Sequence, residues 1–248
     1  MNKISFMNSS RLRIVGNHFT VNSNTIVIMA HGFTNNKSSN KGFDQLSVAL
    51  NEVGYDALAI DFSGSGEIDD DALTSENQVD DLNSAIEFVL SKGYLKIALF
   101  GNSFGTLACI RSFRKEIETM ILVGPLMDSM HYDWDKYFSN EQMNDLKQKG
   151  YFYTNMDSRH KITKQTLMDF EEVSQRDLVK TIGCPILILH GNNSQDEEEL
   201  QLLKHSQKSI QLLPKSSKLE IIQGGKHGLQ EHWDKVMKHS IHWYERQL

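Results

Sequence analysis

The chain has 248 residues and a mass of 28.3 kDa, enough for one large domain or two small ones. With 39% hydrophobic and 23% charged residues, 16 Gly and 3 Pro, it is neither collagen-like nor disordered. Acidic residues outnumber basic ones 32 to 26, and a net charge of −6 leaves no basic field for nucleic acid.

Met1–Val15 is polar, carries Arg11 and Arg13, and has neither an apolar segment nor a cleavage pattern. No signal peptide is read there, and a cytoplasmic protein is expected. The stretch alternates weakly at Ile4, Phe6, Leu12 and Ile14, as edge strands do. Short β-branched or apolar runs then recur at Thr25–Ala30, Asp56–Asp61, Lys96–Gly101, Thr119–Val123, Pro185–His190 and Lys218–Ile222. Each is too short for a helix and suits a strand buried on both faces. Between them, Gly42–Val53 and Gln78–Leu90 carry apolar residues at helical spacing, Phe104–Arg114 follows the third run, and Gln230–Gln247 closes the chain. Alternating strand and helix predicts an α/β fold, a mostly parallel sheet with helices on both faces. Cys109 and Cys184 lie in apolar segments and read as reduced core residues. No apolar run approaches the ~20 residues of a membrane helix.

One interval breaks the rhythm. Ser129–Val179 has no strong strand signal and is rich in aromatics and Met, among them Tyr132, Trp134, Tyr137, Phe138, Tyr151, Tyr153, Met156 and Phe170. A crossover rarely needs so many residues, so a helical insertion is predicted, first of all with its own small core. The division is then a core of residues 1–128 and 180–248, with 129–179 as a cap on a single domain.

The sharpest chemical signal is Gly101-Asn102-Ser103-Phe104-Gly105. The string is cheap alone, but here it follows the strand Ile97–Phe100 and precedes the helix Thr106–Arg114. A nucleophilic serine on such a turn has a strained backbone and small neighbours, which lift its Oγ out of the sheet. Its proton acceptor is predicted to be His227, in Gly224-Gly225-Lys226-His227-Gly228 between the last strand and the last helix. His31-Gly32-Phe33-Thr34 follows the first strong strand. The backbone N–H groups of Phe33 and Phe104 are the expected oxyanion donors, with His31 organising the loop.

At these residues the chain resembles the α/β-hydrolase family over nearly its whole length. The resemblance rests on His31-Gly32-Phe33, Asp61-Phe62-Ser63-Gly64-Ser65-Gly66-Glu67, the Ser103 turn and His227. It looks most like small bacterial esterases, including those acting on cinnamoyl and feruloyl esters, which carry a helical insertion where Ser129–Val179 lies. The resemblance implies a serine carboxylester hydrolase with an acyl-enzyme intermediate, a small-molecule ester as substrate and no cofactor; homodimerisation is left open.

The acid that orients the imidazole is where the sequence departs. The family pattern H-G-x-x-D meets His190-Gly191-Asn192-Asn193-Ser194, with serine at the acid position. Asp196 heads the acidic run that follows, Asp196 to Glu199, and is the first candidate in a slightly longer loop. Glu197, Glu198, Asp128 and the absence of a proper acid remain open beside it, as does a plain helix-capping role for the run.

Other clusters read as solvated surface. His232, His239 and His242 lack any metal-binding partner motif, and Asp69-Asp70-Asp71 reads as a loop rather than a cation site, so no metal is expected. Two further functions stay in view. A thioesterase or aminopeptidase-like peptidase would use the same triad, with Asp133, Asp135 or Glu141 available to hold an amine. A non-catalytic binding protein on a hydrolase scaffold draws its support from Ser194 alone.

Overall fold

A strand buried on both faces sends alternate side chains into two different cores, and this governs the layering of the chain. The computed structural model describes residues 1–67, 71–154 and 159–248, except the side chain of Asn40. It opens with the antiparallel pair β1 (Asn2–Met7) and β2 (Arg13–Phe19). Then come β3 (Thr25–Ala30), α1 (Gly42–Glu52), β4 (Asp56–Ile60), α2 (Ser75–Ser91), β5 (Lys96–Asn102), α3 (Gly105–Arg111) and β6 (Ile117–Val123). A 3-10 turn (Trp134–Lys136), α4 (Asn140–Lys149), β7 (Tyr151–Tyr153), β8 (Lys161–Thr163), α5 (Lys164–Glu171) and α6 (Gln175–Val179) follow. The chain ends with β9 (Ile186–Gly191), α7 (Glu197–Ser209), β10 (Lys218–Ile222) and α8 (Trp233–Gln247).

Eight strands form one sheet in the order β1-β2-β4-β3-β5-β6-β9-β10. β2 is antiparallel to both its neighbours, and every other adjacent pair is parallel. Ile26 and Ile28 of β3 and Leu99 of β5 face a core closed by α2, α3 and the segment after β6. Val27, Met29 and Phe100 face the opposite core, closed by α1 and α8.

The six expected runs are all strands, two of them at the expected bounds and four shifted by a residue or two at their ends. β2 runs on through Gly16, Asn17 and His18, beyond the alternating stretch, because pairing with both β1 and β4 satisfies a polar segment that has no apolar period. α7 is a full helix although its apolar residues are sparse. The segment after β6 is not purely helical: β7 and β8 pair as a short antiparallel ribbon. Asp69, Asp70 and Met156 lie outside the described residues. Asp71 accepts from Asn77 Nδ2 at 3.1 Å at the entry to α2. Cys109 and Cys184 are buried free thiols, and burial pushes both up, Cys184 to about 12. Among the described residues, no helix is long and apolar enough to cross a membrane.

The carboxyl ends of β3, β5 and β9 open onto one edge, where ligands bind in parallel α/β sheets. α8 fixes one side of that edge through three buried aromatic donors. Trp233 Nε1 donates to Gly42 O (3.0 Å), Trp243 Nε1 to Thr119 Oγ1 (2.8 Å) and the Tyr244 hydroxyl to Leu99 O (2.9 Å). The other side is fixed by an ion pair. Lys37 Nζ, 5% exposed, lies 2.6 Å from the buried Asp61 Oδ2 and 2.8 Å from Glu67 Oε1. Asp61 also accepts from the Lys37 N–H (2.8 Å) and the Glu67 N–H (3.0 Å), tying the loop after β3 to the loop after β4. Lys3 and Lys37 hydrogen-bonded to Glu67 hold that carboxylate down to about 2.

Removing one partner of such a pair strands the other in the interior. Asp61→Ala is expected to lower the unfolding free energy by about 3–5 kcal/mol, read from urea denaturation followed by circular dichroism.

Candidate active site

Ser103 sits between β5 and α3 with φ +50, a left-handed conformation that a residue with a Cβ rarely adopts. The turn is locked by backbone bonds: the Ser103 N–H donates to Val123 O (2.8 Å), and the Thr106 N–H to Ser103 O (2.9 Å). It also demands close approach. A Cβ on Gly105 would lie 2.3 Å from His31 O, so α3 starts in contact with the end of β3. The side chain thus projects from the carboxyl edge of the sheet, half-buried.

Ser103 Oγ lies 2.8 Å from His227 Nε2. His227 belongs to the loop between β10 and α8, and its Nδ1 lies 2.8 Å from Glu199 Oε2. Glu199 is fully buried, in the first turn of α7. Gly124 (φ +56) closes the third side: a Cβ there would lie 2.9 Å from His227 Cε1 and 3.0 Å from its Nδ1. A serine hydroxyl, an imidazole and a carboxylate are therefore in sequence at hydrogen-bond distances.

Burial disfavours the charged form of His227. The Glu199 hydrogen bond and the charges of Glu199, Glu198 and Asp196 more than offset it, and the imidazole pKa rises above 6.5. For Glu199, burial pushes upward, but hydrogen bonds from His190 and His227 bring its carboxyl to about 2.

Asp196, expected on the imidazole, is not there. As N-cap of α7 it accepts from the Glu199 N–H through Oδ1 (3.0 Å), and its Oδ2 accepts from the backbone N–H of His227 (2.8 Å). Asp196 therefore holds the peptide of the histidine, while the ring is held by Glu199. Glu197 is exposed, and Asp128 accepts from its neighbour Ser129 N–H (3.0 Å). Glu198 lines the cavity described below and accepts from the Tyr132 hydroxyl (2.7 Å). The signal that finds Glu199 is local: Asp196-x-x-Glu199 has the spacing of a helix capping box, in which the third helical residue points back toward the N-terminus.

The turn carrying Phe33 lies against Ser103: a Cβ on Gly32 would come within 3.1 Å of Ser103 Cβ. His31 braces it. Its Nδ1 donates to Gly32 O (2.9 Å) and its Nε2 accepts from the Phe62 N–H (3.2 Å), which requires a neutral ring. Burial brings the His31 pKa down to about 4. Phe104, next to the serine, is fully buried, with its ring 5.9 Å from that of Phe33.

A cavity of about 310 Å³ opens at Ser103 and His227. Tyr132, Trp134, Tyr137, Phe138 and Phe170 line it from the segment after β6, facing Phe33. Phe170 is the hub, stacked on Phe104 at 4.6 Å and edge-on to Tyr132, Phe33 and Trp134 at 5.2–5.3 Å. Tyr151 and Tyr153 do not line it; they pair with each other and lie under Lys161 and Arg159 respectively. Asp133 pairs with Lys136 at 3.3 Å, and Asp135 and Glu141 are exposed, so the cavity's own carboxylate is Glu198. Among the described residues, no group of three or more His, Cys, Asp or Glu side chains is arranged to hold a metal ion.

Comparison with solved structures gives the same architecture. Est1E from Butyrivibrio proteoclasticus, solved with ferulic acid bound, aligns with a TM-score of 0.78 and 20% identity over 98% of each chain. The α/β-hydrolase GrgF from Penicillium sp. sh18 aligns at 0.80 and 17%, over 99% of this chain and 98% of that one. The esterase EaEST from Exiguobacterium antarcticum aligns at 0.74 and 17%, over 97% and 98%. At these identities the likeness is one of fold. No curated protein sequence matches significantly. A family profile described as Hydrolase_4, serine aminopeptidase S33, matches residues 22–169, more than half of the chain and inclusive of Ser103. The chain belongs to that serine aminopeptidase S33 family of hydrolases and has the α/β-hydrolase fold.

Proposed function

We propose that this chain is a serine hydrolase cleaving carboxylic esters, with Ser103 as nucleophile, His227 as base and Glu199 as the acid that orients it. The observation that carries the reading is the line Ser103 Oγ to His227 Nε2 (2.8 Å) and His227 Nδ1 to buried Glu199 (2.8 Å). Ser103 Oγ attacks the ester carbonyl as His227 Nε2 takes its proton. The oxyanion is held by the backbone N–H groups of Phe33 and Phe104, donors of a kind worth ~3–4 kcal/mol in the transition state. His227 returns the proton to the leaving alcohol, and water then cleaves the acyl-enzyme by the same route, releasing the acid.

The acyl group occupies the aromatic cavity, whose 310 Å³ suits a short or single-ring acyl chain. Residues 129–179 act as the cap that supplies those rings. Ferulic acid bound to Est1E supports aryl-acrylate esters as the first members of a substrate panel. One observation favours a second reading, an aminopeptidase: Glu198 puts a carboxylate in the cavity wall, where a substrate amine would be held. Matched kcat/KM values decide between them. A higher value on p-nitrophenyl esters than on the corresponding aminoacyl p-nitroanilides supports the esterase; the reverse order supports the peptidase.

Ser103→Ala is expected to abolish hydrolysis of a short p-nitrophenyl ester and labelling by a fluorophosphonate probe. Labelling that persists in this variant refutes the nucleophile, and failure of the native chain to label with several probes favours a binding protein. Glu199→Gln is expected to lower kcat by up to ~10⁴, since the imidazole loses its orienting charge. Asp196→Asn keeps an acceptor for the His227 N–H and is expected to act far more weakly.

Proton acceptance requires neutral His227, whose pKa lies above 6.5. The acid limb of kcat/KM is therefore expected to have its midpoint above 6.5, with activity lost as pH falls through it. A midpoint below 6.5 in a steady-state pH profile overturns this assignment.

A further inference from the structure

Glu199 carries more than the mechanism uses. Its Oε2 faces His227, while its Oε1 is shared by two other donors: His190 Nδ1 at 2.8 Å and the Gly191 N–H at 2.7 Å. His190, at the end of β9, is fully buried. Its Nε2 lies 2.8 Å from the hydroxyl of Ser206, also fully buried and two turns further along α7. A carboxylate oxygen only accepts, so His190 carries a proton on Nδ1, and its Nε2 and the Ser206 hydroxyl form the next link. Five side chains thus form one chain: Ser103, His227, Glu199, His190, Ser206.

We propose that His190 is a positioning residue for the reaction of Ser103: it clamps Glu199 Oε1 so that Oε2 stays on His227, and it tunes the basicity of His227 through the shared carboxylate. The proposal rests on the hydrolase reading above. Two physical arguments lead to it. Glutamate has one more rotatable bond than aspartate, and fixing it costs more rotamer entropy, so an acid mounted on a helix needs a second holder. A carboxylate also divides its electron density among its donors. Removing the His190 donor leaves more for His227 Nδ1–H, favours the imidazolium and raises its pKa. The groups facing His227 are Ser103 from the turn after β5, and Asp196, Glu198 and Glu199 from α7 and its cap; those facing His190 are Glu199 and Ser206.

The test is an NMR pH titration of the His227 ring in the full chain, beside kcat and KM on p-nitrophenyl acetate. His190→Leu, which removes the donor, is expected to raise the His227 pKa by about half a unit or more and to lower kcat about tenfold with KM unchanged. His190→Asn puts an amide N–H at the Nδ1 position and is expected to restore both. His190→Gln puts it at the Nε2 side and is not. A folded His190→Leu chain with unmoved titration and kcat overturns the proposal. So does a lower kcat with unmoved titration, which is a structural effect. Should His190→Leu fail to fold, the Asn and Gln variants decide, and equal His227 titrations in the two overturn it. The titration needs no turnover, so it reads His190 even if no ester is cleaved. Ester cleavage with an unmoved titration sinks the proposal and leaves the hydrolase reading standing.

Discussion

A carboxylate removed from water has to be saturated with donors, and around Glu199 this requirement organises one whole edge of the molecule. Its two oxygens draw in the end of β9 through His190 and Gly191, and the loop before α8 through His227. The cap of α7 completes the assembly: Asp196 binds both the Glu199 N–H and the His227 N–H, so one residue fixes the helix start and the histidine backbone together. α8, pinned by Trp233, Trp243 and Tyr244, keeps the far end of the histidine loop in place. Ser103, held by its own strained turn, then needs no further adjustment to meet the imidazole.

The opposite wall of the site is built on different physics. The turn with Phe33 is held from behind by buried polar contacts, His31 on Phe62 and Lys37 on Asp61, and from the front by aromatic packing. Phe170 connects the two: it stacks on Phe104 beside the serine and touches Phe33 and the rings of the segment after β6. That segment is moored to the core by polar contacts as well. Asp169 accepts from the Ser75 N–H (2.6 Å), and His160 Nδ1 donates to Gly64 O (3.0 Å). Shape at the cavity is therefore set by rings, and their placement by a few buried hydrogen bonds.

How much of this is readable in the sequence follows the same division. Ile26–Ala30 and Ile97–Phe100 are legible because burial on both faces demands an unbroken apolar run. Ser103 and His227 are legible because a tight turn and a loop flanked by glycines leave marks in the local string. The end of β2 and the helix α7 are not, since one is stabilised by pairing on two sides and the other by its cap rather than by an apolar period. Glu199 fails for a related reason. Counting residues along a loop from His190 assumes extended chain, which leads to Asp196; helix geometry instead turns the third residue after the cap back toward the strand ends. The rings lining the cavity are distinguished from Tyr151 and Tyr153 by tertiary placement alone.

Mounting this carboxylate on a helix has an electrostatic consequence. The first turn of α7 favours the anion, and two histidines donate to it, so Glu199 stays charged in the interior. That one anion divides its charge between the two rings. The same turn, however, brings Asp196 and Glu198 close to His227, and their charges add to that of Glu199. Orientation is then the task of one rigidly held carboxylate, and potential the task of three. Separating the two tasks lets Glu199 lie deep in the protein, where its geometry is fixed, without leaving the His227 ring short of negative charge. The acidic run, which in the sequence offers either an acid or a helix cap, thereby supplies the negative potential around the His227 ring.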